Sequence, residues 1–325
     1  MTSVLERFLR YVTYDTQSRE DATTYPSTPG QLVLLHDLVA ELRAMGIADA
    51  VINEHGYVMA TIPATTAKEN VPVIGFIAHV DTSPEMPRAG VKPIVHVNWD
   101  GRDIGLPDAP DAVLRKTEIP ALVEQVGHDI VTASGTTLLG ADNKAGVAEI
   151  VTAAEYLMQH PEIAHGPVRI GFTPDEEVGR GTLHFDVARF GASCAYTMDG
   201  GLRGEVEVES FSADGMTVIF HGFNTHPGYA KGKMVNAIKA AATFIDSLPQ
   251  HTLAPEVTEG MDGFVHPYVV DASVERTSVK LLVRDFDTDG LQEKERMIEA
   301  LAQKAAGRHP GIDRKSTRLN SSHGY

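Results

Sequence analysis

The chain has 325 residues, 42% of them hydrophobic and 22% charged, which is the composition of an ordinary globular protein long enough for two domains. Its formal net charge of −16 argues against nucleic acid or anionic membrane as a partner. Cys194 is the only cysteine, which excludes an intramolecular disulfide. With no signal-peptide h-region and no bilayer-length apolar stretch, the chain reads as cytoplasmic.

Apolar residues at helical spacing predict helices over residues 4–14 and 31–45, the second closed by Gly46 as a C-cap. Short strands are expected at 50–53 and 57–62, followed by a strand at 73–78 that delivers His79. Residues 83–111, rich in Pro, Gly and Asp, read as a long irregular excursion. A helix is predicted over 143–159, directly after Asp142, and the apolar runs at 168–173 and 194–198 read as buried strands with Cys194 in the core. Farther on, 215–222 and 277–284 alternate like strands, while 235–248 and 291–306 have helical spacing. One more strand between those helices would give a ferredoxin-like α+β unit lacking its final strand. Residues 313–323, DRKSTRLNSSH, match the translation of a widely used sequencing-adapter sequence, so 313–325 is set aside as a non-native tail.

Acidic residues recur where these runs end: Asp81 two residues after His79, then Asp142, the pair Glu176 and Glu177, and Asp199. Ligands of open α/β sheets bind beyond the carboxyl ends of the strands. Burying several carboxylates there is costly without a cation. One imidazole among carboxylates suits Zn²⁺ or a similar divalent ion. Singly, each feature is ordinary, since a lone histidine after a strand is usually a loop residue and paired glutamates are usually solvated. Their recurrence is what points to a metal site. His226, just before Pro227, reads by itself as a turn residue, and Arg284 as half of a local pair with Asp285 or Asp287.

Several strings together resemble the M20 metallopeptidase family: GFIAHVDTSP at 75–84, LGADNKAG at 139–146 and FTPDEEVG at 172–179. Further strings, HPGYAKG at 226–232, MVNA at 234–237, TEG at 258–260 and VRDFD at 283–287, resemble its tripeptide-aminopeptidase branch. The likeness runs from residue 5 to about residue 310. It implies an α/β catalytic domain, a mixed sheet flanked by helices, over 1–212, with an inserted ferredoxin-like lid over 213–312 that is C-terminally truncated. It also implies two Zn²⁺ ions, with Co²⁺ or Mn²⁺ as alternatives, and hydrolysis of the first peptide bond of tripeptides. A homodimer is compatible with it.

By the same resemblance, His79, Asp142 and Asp199 hold one metal, while Asp142, bridging, and Glu177 hold the other. Glu176 is the general base. Asp81 takes the second ring proton of His79 and fixes its tautomer. His226 stabilises the oxyanion, and Arg284 grips the peptide carboxylate, a task suited to a guanidinium. The Asp142–Asn143 peptide is expected to be cis. Two departures stand out. The family's second metal takes a histidine from a Gly- and His-rich C-terminal segment that has no counterpart here, so the chain as printed is expected to hold one metal well and to be nearly inactive. Asn143 stands where many relatives have Asp, which should matter little because that position is not a ligand.

Among rivals, a di-metal phosphoesterase is disfavoured because no phosphate-binding glycine loop accompanies Glu176 and Glu177. A binding protein that kept the fold would need no free base at Glu176. Another M20 specificity, peptidase or deacylase, and a catalytically dead metal-binding fragment are the alternatives left open.

Overall fold

A computed structural model describes residues 1–86 and 89–321. The chain divides into two compact units, Met1–Glu205 and Val206–Tyr325. The first unit opens with α1 (Val4–Tyr11) and α2 (Pro29–Ala44), followed by β1 (Val51–Ile52), β2 (Val58–Ile62) and β3 (Ile74–His79). Then come β4 (Ile94–His96), β5 (Ile104–Leu106), β6 (Ala109–Leu114), a 3₁₀ turn at Pro120–Gln125 and β7 (Ile130–Thr132). It continues through α3 (Ala141–Gln159), β8 (Val168–Thr173), α4 (Val187–Phe190) and β9 (Cys194–Thr197).

Local chemistry accounts for the helix ends. Ser3 and Glu6 form a reciprocal capping box on α1. Pro29 occupies the first turn of α2, and Gly46 follows its end at φ +96°. The five strands of the main sheet run in the order β1-β2-β8-β3-β9, with β3 parallel to both β8 and β9. Leu34, Leu35, Leu38 and Leu42 of α2 and Val147 and Val151 of α3 share one buried cluster with Val58, Ala60, Ile170 and Phe172 of the sheet. Arg7 is also buried, and it binds Glu41 at 2.9 Å and Glu155 at 2.7 Å, tying α1 to α2 and α3 through paired charges.

Two expectations for this unit need correction. The excursion at 83–111 is not wholly irregular: β4 pairs with β7, and β5 pairs with β6, in two small antiparallel ribbons. β4, β5 and β7 have three residues each, and β4 pairs with a segment over thirty residues away, which leaves too short a pattern for periodicity to register. Cys194 is exposed rather than part of the core. Its strand β9 is the edge of the sheet and all four of its residues are exposed, so an apolar run alone misread its burial.

The second unit contains β10 (Ser212–His221), a 3₁₀ turn at Pro227–Tyr229, α5 (Ala237–Ser247), β11 (Phe264–Ala272), β12 (Arg276–Asp285), α6 (Thr288–Gly307) and β13 (Asp313–Ser321). Alternate residues of β10 (Met216, Val218, Phe220) and of β12 (Val279, Leu281, Val283) form one core with Ala240, Ala241 and Phe244 of α5 and Leu291 and Ile298 of α6. The antiparallel order β13-β10-β12-β11 places the unit's fourth strand beside its first, the ferredoxin-like arrangement. The position of the final strand expected to be missing is occupied by residues 313–321, part of the segment set aside as a tail. Asp313 pairs with His221 and Ser321 with Ala213. Such pairing uses main-chain groups, so an extended segment can complete an open edge with no apolar signature. Residues 322–325 of that tail lie outside the described residues. Among the described residues no helix is long and apolar enough to cross a membrane.

Candidate metal centre

Parallel pairing brings the chemistry of the first unit to one edge of its sheet. His79 stands opposite Thr173, and Ile77 opposite Thr197, so β3, β8 and β9 all end on the same side. Thr173 leads into the turn carrying Glu176 and Glu177, Thr197 leads to Asp199, and the start of α3 carries Asp142. The Asp142–Asn143 peptide is cis, as expected.

His79 is buried at the centre of the group. Its Nε2 lies 3.0 Å from Asp142 Oδ1, 3.5 Å from Asp199 Oδ2 and 3.7 Å from Glu176 Oε2. Its Nδ1 lies 3.2 Å from Asp81 Oδ1 and 3.1 Å from the Asp81 carbonyl. Two sets of donors each converge within 4.8 Å: His79, Asp142 and Glu177, and His79, Glu176 and Asp199. By distance alone Glu176 stands among the candidate ligands, beside Asp199. One imidazole nitrogen and several carboxylate oxygens, drawn from strand ends and a helix start, form a donor set that fits a divalent cation.

The electrostatics point the same way. Burial by itself would lower the basicity of His79, but bonds to Asp142, Asp199 and Asp81 outweigh it and hold the imidazole well above its ordinary range. Burial, with the charge of Asp142 adding to it, pushes the Glu177 carboxyl up to about 7. These groups crowd negative charge into a partly desolvated space. His79 and Glu177 must be deprotonated to ligate, so cation binding there is coupled to proton release.

Asp81, fully buried, does more than its spacing from His79 suggested. Its Oδ1 accepts the Glu176 N–H at 2.9 Å and its Oδ2 the Glu177 N–H at 3.1 Å. One carboxylate thus orients the imidazole and anchors the backbone of both glutamates. The second contact depends on the β3–β8 register, which no local sequence pattern reveals.

The two remaining predicted residues belong to the second unit. His226 is exposed and caps the turn at Pro227–Tyr229, its Nδ1 accepting the Gly228 N–H at 3.1 Å. The Arg284 guanidinium carbon lies 3.5 Å from the centre of the Phe211 ring and 5.1 Å from that of Phe264. Asp285 pairs with Lys294, and Asp287 caps α6.

Comparison with known proteins adds the following. Residues 208–310 match the M20 peptidase dimerisation domain. Peptidase T of Geobacillus sp. strain WCH70 is 52% identical over 301 residues, spanning 93% of this chain and 73% of that protein. A tripeptidase from Staphylococcus aureus superposes with a TM-score of 0.73 at 21% identity, covering 98% of this chain and 75% of the other. A dinuclear metal-binding peptidase of the M20 family from Bacillus subtilis superposes at 0.55 with 17% identity, covering 97% and 72%.

Proposed function

We propose, from the premise that this chain belongs to the peptidase T family of M20 metallopeptidases, that it releases the N-terminal residue of tripeptides by metal-assisted hydrolysis. The observation that carries the reading is the convergence of His79, Asp142, Glu176, Glu177 and Asp199 on the carboxyl ends of parallel strands.

In this reading His79, Asp142 and Asp199 would hold one Zn²⁺, and Asp142 and Glu177 would contribute to a second in the full-length gene product. Divalent cations held there would supply Lewis-acid polarisation of the scissile carbonyl and a lowered pKa for water. Glu176 accepts the proton of the attacking water and later donates it to the leaving amine, so the proton gained at the first step is spent on the departing dipeptide nitrogen. Support for the base at Glu176, rather than at Glu177, comes from the resemblance. The anchoring of both backbone amides by Asp81 favours distinct, fixed orientations for the two side chains. Asp81 also holds the His79 ring so that Nε2 faces the carboxylates. His226 stabilises the developing oxyanion, and Arg284 takes the substrate carboxylate. The match to a dimerisation domain supports a homodimer, and a single cysteine suits the reducing cytoplasm.

The test is product analysis on the full-length gene product with zinc and a tripeptide. A free N-terminal residue and a dipeptide are expected. Release of the C-terminal residue, or cleavage of N-acyl amino acids alone, would replace this reading with a carboxypeptidase or a deacylase.

A further inference from the structure

The turn at residues 174–177 is gripped from two sides by buried carboxylates. Asp81 takes the amides of Glu176 and Glu177. The other grip comes from Asp175, which is 0% exposed and sits at φ +57°. Its Oδ2 accepts the Ser27 N–H at 2.7 Å, and its Oδ1 accepts the Gln31 Nε2 at 2.7 Å together with the Ser27 hydroxyl. Its own N–H donates to Gln31 Oε1 at 3.0 Å, and its carbonyl accepts the Arg180 N–H at 2.9 Å. Ser27 and Gln31 are themselves buried at the start of α2.

Arg180 extends the clamp. Its guanidinium donates to the carbonyls of Ala22 at 3.2 Å and Thr24 at 3.0 Å, which holds the chain leading to Ser27 against the same loop.

A left-handed turn position alone would be served by glycine or asparagine without a buried charge. Here a carboxylate is buried in order to make bonds that hold the backbone just before Glu176. We infer that Asp175 is a positioning residue: through Ser27 and Gln31 it locks the turn so that the Glu176 and Glu177 carboxylates keep their aim at the His79 cluster. Asp175 touches neither substrate nor cation and acts only through its neighbours. The inference rests on the reading of Glu176 as base and Glu177 as ligand, and it adds Asp175 to the machinery of that reaction together with Ser27 and Gln31, which lie 148 and 144 positions before it in sequence.

The geometry supplies a swap experiment. Asp175→Asn puts an amide NH₂ where an oxygen accepted, either facing the Ser27 N–H or, after flipping, breaking the hydrogen bond from Gln31. Adding Gln31→Glu reverses that hydrogen bond and still leaves an acceptor for the backbone N–H of residue 175. Asp175→Asn, Gln31→Glu, the double variant, Ser27→Ala and the control Glu176→Gln are compared in the full-length gene product. The readouts are hydrogen exchange at the Glu176 and Glu177 amides, zinc per chain, and kcat and KM for a tripeptide. Misplacing a catalytic group by about 1 Å costs ~10²-fold. Asp175→Asn should therefore lower kcat by about that factor with KM nearly unchanged, and should speed exchange at both amides. The double variant should recover most of both, and Ser27→Ala should give a weaker form of the Asp175→Asn effect. If Asp175→Asn leaves exchange and kcat unaltered, or the double variant is worse than either single one, the positioning role is wrong. If Asp175→Asn fails to fold, Ser27→Ala decides by the same readouts. Full turnover in Glu176→Gln would overturn the underlying reading instead.

Discussion

The two units handle their sheets in opposite ways. In the second, antiparallel strands bury every other residue, and the pattern is spent on packing: Met216, Val218 and Phe220 face the helices, while the residues between them do not join the core. In the first, β3, β8 and β9 are parallel, so their carboxyl ends lie side by side, and the polar residues just beyond them are forced into one place. Parallel topology concentrates chemistry at a sheet edge, whereas antiparallel topology distributes side chains over a face. His79 and its carboxylates form a cluster that can be recognised without any relative, while His226 and Arg284 draw their roles from resemblance.

The sharpest way to break this contrast is at the strand ends. Asp142→Ala should abolish zinc binding, whereas Glu176→Gln should retain zinc by elemental analysis and lose ~10²–10⁴-fold in tripeptide turnover. Equal loss of metal in both would make Glu176 a ligand, in line with its 3.7 Å approach to His79. A core change in the other unit should do the reverse. Phe244 is fully buried, and Phe244→Ala should cost ~3–5 kcal/mol in denaturant unfolding while the zinc content of the folded protein is unchanged.

Arg284→Ala should raise KM for a tripeptide by about 10- to 100-fold, the range expected for losing a hydrogen bond to a charged group. It should leave KM for the corresponding tripeptide amide unchanged. An equal rise for the amide would assign Arg284 to the fold rather than to the carboxylate.

The smallest effect concerns pH. Burial opposes ionisation of Asp285, but Lys294 and the Asp287 N–H outweigh it and hold the carboxyl below its ordinary value. A depressed carboxylate stabilises the folded state above its unfolded pKa, and that stability is lost as pH falls through the folded value. Thermal melts below about pH 4 should therefore show a slope that Asp285→Asn flattens, by about 1 kcal/mol.

Much of this is legible in the sequence. The helices and strands of both cores follow from spacing, and the cluster around His79 follows from acidic residues recurring at strand ends. Most of what escaped depends on partners distant in the chain. The ribbon of β4 with β7 is three residues deep, and β13 pairs through its backbone. Cys194 sits in an apolar run whose burial depended on β9 not being an edge strand. Asp175 is an ordinary acidic residue in the sequence. Its left-handed conformation and its bonds to Ser27 and Gln31 exist only once α2 meets the turn after β8.

Diffraction at the zinc absorption edge from crystals of the zinc-loaded protein tests the central claim most directly. The strand-end account predicts an anomalous peak about 2.0–2.2 Å from His79 Nε2 and from carboxylate oxygens of Asp142 or Asp199. A zinc peak coordinated elsewhere on the chain, with none at the His79 cluster under saturating zinc, would contradict it.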